Sequence, residues 1–232
     1  MKKKIILAIL LASFTSGNLY AFKMPGLKKS AGTSASVDWG KYDNVIIRIE
    51  AIKLIQALNE KIFIACNQLT DTLNINIEKN AQALLFIEDT MKELNNNNAS
   101  ASFRENKDEN EGIINNFIGD DKNTDMSDID TTEFEQDKKT VEEYKKQRAK
   151  LLEYSLFSLT MNAGVFLQGR KLTEELTELT KTVKDDAKSN PMKGAAYVKT
   201  IIDAPKVVAT FLEQTPQSIK NIGLVIKFAR TG

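Results

Sequence analysis

The chain has 232 residues, with 32 basic and 31 acidic side chains, 11 glycines, four prolines, one cysteine and no histidine. Balanced charge leaves no footprint for nucleic acid, and so few glycines and prolines suit helices better than a many-turned sheet protein. The missing histidine removes Ser-His and Cys-His nucleophiles and histidine-bearing zinc sites, and no carboxylate pair stands out by its spacing, so the chain reads as non-catalytic, without cofactor or metal.

Residues 1–21 read as a secretory signal peptide. Lys2, Lys3 and Lys4 form its positive end, Ile5 to Phe14 its apolar run, and Leu19-Tyr20-Ala21 a peptidase site that cuts before Phe22. The apolar run is too short to span a bilayer of about 30 Å. The destination is the periplasm or the exterior of a bacterium. Cleavage removes three lysines and no acid, which leaves a mature net charge of −2. Residues 22–38, small and polar with one proline and two glycines, read as a flexible leader. Residues 39–232 are expected to form a single helical domain.

A first helix is expected from about Trp39 to Leu73, capped by Ser36 or Asp38. Its apolar residues Ala51, Ile55, Leu58, Ile62, Cys66, Leu69 and Leu73 step by four and three. The lone Cys66 on that stripe reads as a buried, inert thiol. A second helix spans roughly Ile77 to Leu94 and ends at four asparagines, which compete with the backbone for hydrogen bonds. Residues 99–130 have few apolar side chains, and from Ser100 to Glu143 there are fourteen acids against five bases. They are expected to form a mobile acidic loop with one short helix, INNFIG, able to dock. Within it Asp121, Asn123 and Asp125 match the first ligands of a calcium loop, but Met126 replaces the required glycine and Thr132 the bidentate glutamate.

A long helix from Thr131 or Thr132 to Ser189 then carries Tyr154 to Gly169, YSLFSLTMNAGVFLQG, sixteen residues without a charge. Its apolar side chains occupy all sides of a helical wheel, so it needs other helices, a membrane or a second subunit around it. Leu156, Phe157, Leu159, Val165, Phe166 and Leu167 are the candidate apolar binding residues. The apolar stripe Leu152, Leu156, Leu159, Ala163, Phe166 resumes one residue out of phase as Leu172, Leu176, Leu179, Val183, so Gly164 and Gly169 predict a kink, a break or a hairpin. Their GxxxxG spacing is no phosphate loop, because Arg170 and Lys171 stand where Lys and Ser or Thr are required. Two further helices are expected, one near Met192 to Leu212, kinked or divided at Pro205, and one opened by Thr215-Pro216. The last carries a basic surface of Lys220, Lys227 and Arg230 opposite Ile222, Val225, Ile226 and Ala229.

Together these readings predict an all-α protein, an elongated bundle of five or six helices. Its expected role is an exported interaction protein that binds a protein or an apolar ligand. The alternative is a membrane-active protein of pore-forming-toxin type that exposes Tyr154–Gly169 as a helix or hairpin. A membrane and a second copy of the chain thus stand as alternative partners.

Overall fold

The computed structural model describes residues 37–70, 77–118 and 138–231. The signal, nearly all of the leader and the calcium-like residues Asp121, Asn123 and Asp125 lie outside them. Six helices and no strand are found among the described residues: α1 (Gly40–Thr70), α2 (Ile77–Asn96), α3 (Asn98–Glu105), α4 (Lys107–Ile118), α5 (Lys138–Ser189) and α6 (Pro191–Thr231). The fold is an all-α bundle.

The predicted stripe of α1 is its buried face. Ala51, Ile55, Leu58, Ile62, Cys66 and Leu69 are all buried, whereas Leu73 lies outside the described residues. Asp38 opens the helix, its carboxylate accepting the Gly40 amide at 3.0 Å. Burial pushes the Cys66 thiol up to about 11, which keeps the sulfur in its unreactive protonated form.

The 52 residues of α5 form one helix of about 78 Å, and the chain does not turn at Gly164 or Gly169. The phase slip vanishes once buried polar and small residues are admitted to the stripe. Tyr144, Arg148, Leu151, Ser155, Ser158, Asn162, Val165, Gly169, Leu172, Leu176, Leu179 and Val183 step by alternating four and three without interruption, and all are buried. That is a seven-residue repeat, the pattern of a helix laid along its partners at a shallow angle. Its middle holds polar and small residues, so apolar counting alone places the stripe on the wrong side chains. Leu156, expected within it, is 41% exposed.

The two glycines serve close approach. A side chain at Gly164 would run into the backbone carbonyl of Phe103 in α3, and one at Gly169 would meet the end of the Leu212 side chain in α6. The turn falls instead at Asn190, whose side chain accepts the Lys193 amide at 3.1 Å. Pro191 follows it in the first turn of α6.

Two expectations are corrected here. Residues 98–118 form two helices, not one short INNFIG turn in a loop. Phe103 is buried, Asn110 donates to its carbonyl at 3.0 Å, and Gln168 of α5 donates to the Ser102 carbonyl at 2.7 Å. These bonds fix the segment through polar groups that carry no apolar period. Residues 191–231 form one helix, with Pro205 and Pro216 inside it. Thr215, expected as a cap, is buried and donates to the Phe211 carbonyl at 2.7 Å. Its neighbours Ala204, Val208, Phe211 and Ile219 are buried on the same side, and this packing outweighs the roughly 3 kcal/mol that an interior proline costs.

The two glycines respond differently to a methyl group. Gly164→Ala, which must displace backbone, is expected to destabilise the protein by about 1–3 kcal/mol. In Gly169→Ala only the tip of Leu212 must move, and the gain of about 1 kcal/mol in helix propensity offsets much of the cost. Urea denaturation of both variants checks this; equal losses would contradict the assigned contacts.

Candidate functional surface

The uncharged stretch is mostly core. Leu159 is 3% exposed and Val165 1%, so neither is available as a surface binding residue in this conformation. Phe157, Phe166 and Leu167 are half-buried, and Leu156 lies at the exposed edge. The reason is the enclosure of α5, which contacts each of the other five helices.

The polar residues of the stretch pair inside. Asn59 of α1 and Asn162 of α5 exchange two amide hydrogen bonds of 3.0 Å each. Ser158 donates to the same Asn59 oxygen, and Ser155 to the Leu151 carbonyl at 2.7 Å. A second bridge runs from Asn80 of α2 to Gln147 at 2.8 Å, and Gln147 donates onward to the Ile77 carbonyl at 3.0 Å. Arg148 is fully buried, donates to the Phe228 carbonyl and lies over the rings of Phe228 and Tyr144. Its position satisfies a carbonyl in the last turn of α6, where a cation is also favoured by the helix dipole. Burial lowers the Arg148 pKa. Each of these side chains has at least one hydrogen-bond partner inside the fold.

Part of the stretch belongs to a second apolar cluster, separate from the main core. Leu159 meets Ile219, Ile222 and Ile226 of α6, with Phe63 and Leu152 at its edge. Its cover is α4, which brings Ile113, Ile114 and Phe117, all half-buried. The Phe117 ring meets Phe166 edge-on, with centroids 6.2 Å apart. Thus the structure brings Leu159 and Phe166 to one site under α4, and leaves Leu156 outside it. Lys220 and Lys227 are exposed on the solvent side of α6, and Arg230 is half-buried.

Two further places were not legible as sites. A shallow open groove between α1 and α5 is lined by Lys41, Arg48, Glu174, Glu175 and Glu178, and the Arg48–Glu175 ion pair bridges it. Among the described residues no cluster of three carboxylates or thiols stands close enough to hold a metal, and no helix is long and apolar enough to cross a membrane. At the α5–α6 turn, Trp39, Tyr42 and Tyr197 pack with centroids 5.1 to 5.6 Å apart. Tyr42 donates to Asp186 at 2.6 Å, and Lys41 pairs with the same carboxylate at 3.0 Å. Tyr197 donates to Asp43, and its phenol is pushed up to about 12, chiefly by burial. The rings fill the space between them, so this corner clamps three helix ends together.

The hydrogen bond from Tyr42, with that from Lys41, holds the Asp186 carboxyl below its ordinary value of 3.8. A lowered native pKa stabilises the fold above the unfolded value, and the contribution is lost as pH falls through the native one. Asp186→Asn is therefore expected to be less stable than the parent at neutral pH, with the gap closing in acid. Trp39 lies in the cluster and is the only tryptophan, so its fluorescence can follow urea unfolding at each pH. A gap that does not change with pH would contradict the assignment. The chain matches no protein-family model, no curated protein and no solved structure.

Proposed function

We propose that the chain is an exported bacterial interaction protein, without a catalytic site, that holds a protein or an apolar ligand. The observation that supports this reading is the cluster of Leu159, Ile219, Ile222 and Ile226, covered by a twelve-residue helix whose own apolar side chains remain half-exposed. A helix of that length is marginal by itself. It is held by a small apolar contact and by Asn110, so an apolar molecule or an amphipathic helix of a partner can take its place with the same chemistry. Helix α5 runs on through Gly164 and Gly169, which supports the bundle reading over the hairpin form of the pore-forming alternative.

The test is titration of the chain with the apolar dye N-phenyl-1-naphthylamine. The expected result is saturable binding that tightens in Phe117→Ala, which loosens the cover while leaving the cluster intact. No saturable binding, or identical binding by parent and variant, would count against the site. Export has its own readout: the protein recovered outside the cytoplasm should begin at Phe22, and a cytoplasmic product that keeps Met1 would refute it.

A further inference from the structure

One side of α6 faces the core along its length, and the other carries an ordered row. Met192, Lys199, Lys206, Glu213, Lys220 and Lys227 recur every seven residues, and all six are exposed. Seven residues are two turns, about 10.5 Å of rise. Ile202 stands three residues from Lys199 and four from Lys206, and Leu224 four from Lys220 and three from Lys227. Each is thus flanked by two lysines on the same helix face. Ile202 is 40% exposed, Leu224 67% and Met192 91%.

The charge of Lys199, Lys206 and Lys220 is not spent in the ion pairs found among the described residues, which use cations of α1, α2 and α5. From Pro191 to Gly232 there are six basic and two acidic residues, the acids being Asp203 and Glu213.

We infer that this face of α6 is a docking surface for an anionic phospholipid bilayer, on which the helix lies flat. The complement to a row of lysines is a sheet of negative headgroups. The apolar side chains are single and far apart, Ile202 and Leu224 being separated by 22 residues, or about 33 Å. A protein interface concentrates its apolar contacts in a core from which lysine is depleted. A headgroup layer accepts isolated apolar side chains, while lysine stems lie along the boundary and keep their ammonium groups among the phosphates. Insertion is not part of the inference, because the opposite face of α6 carries Ile201, Val208, Phe211 and Ile222 into the core. The inference is independent of the cluster under α4, and none of its residues lines that cluster.

The experiment is flotation of the full chain with vesicles of phosphatidylglycerol and phosphatidylcholine in equal parts, and of phosphatidylcholine alone. Parent protein is expected to bind the first in a salt-sensitive way and the second much less. Each lysine near an anionic surface contributes about fivefold, so Lys199→Gln, Lys206→Gln and Lys220→Gln together are expected to lower partition by ~100-fold. Ile202→Ser with Leu224→Ser should lower it independently. The substituted side chains are exposed, and the N-terminal apolar run is common to parent and variants, so the difference reads α6. Absence of binding to the anionic vesicles, or equal binding by the triple variant, overturns the inference. Binding to polyglutamate without binding to vesicles also overturns it and assigns the face to an acidic protein. Release of a trapped dye overturns flat docking in favour of insertion.

Discussion

The bundle depends on the enclosure of α5. Between Tyr154 and Gly169 this helix has no charge and no hydrophilic face, so every side of it must find a partner other than water. The other five helices supply those partners. At the centre of its buried seam the residues are Ser155, Ser158 and Asn162, which cannot be enclosed by hydrocarbon alone without cost. Ser155 donates to the Leu151 carbonyl within its own helix, while Ser158 and Asn162 bond to each other and to Asn59, the bonds to Asn59 forming at one register only. Sliding α1 along α5 by a turn would strip both amides of their bonds across the two helices, at about 1–3 kcal/mol for each group left unpaired. An apolar seam would have penalised the slip less, so the polar centre selects the alignment that a uniform stripe would leave loose.

That same polar centre limits what could be read from the chain. The stripe of α1 is apolar at nearly every buried position, and its residues from Ala51 to Leu69 were legible from period alone. The existence of α5 and the burial of its uncharged stretch were legible too. Its true seam was not, because Arg148, Ser155, Ser158, Asn162 and Gly169 hold five of its buried positions and an apolar count passes over them. Counting only hydrocarbon shifts the stripe onto Leu152 and Leu156 and creates an apparent slip at the glycines. The sign that could have corrected this is the strict spacing of four and three from Tyr144 to Val183 when small and amide residues are admitted.

Helix α3 and the first turns of α4 escaped for a related reason. Their attachment runs through the Phe103 carbonyl, set against the bare backbone of Gly164 and accepting from Asn110. Neither a backbone carbonyl nor an absent side chain leaves a periodic mark, and the surrounding acids suggest solvent. Only the apolar residues of INNFIG signalled a docking face, and they were enough to place one short helix but not the neighbour before it. The candidate site was legible to a lesser degree: Leu159, Ile222 and Ile226 were named but Ile219 and Phe63 were not, and their grouping under α4 depends on contacts between segments more than forty residues apart.

For α6, proline signals of a boundary were overruled by packing. Pro205 and Pro216 each remove a backbone donor, yet the inner residues on both sides of them remain in contact with the core, and Thr215 meets the Phe211 carbonyl from within. Because the helix continues, its outer face continues as well. A break at Pro205 would have rotated Lys199 away from the other lysines of the row, and one at Pro216 would have parted Lys199 and Lys206 from Lys220 and Lys227. The packing that carries the inner face past both prolines therefore also keeps the exposed lysines in register along about 42 Å of helix, so that a core interaction determines the geometry of a surface it does not touch.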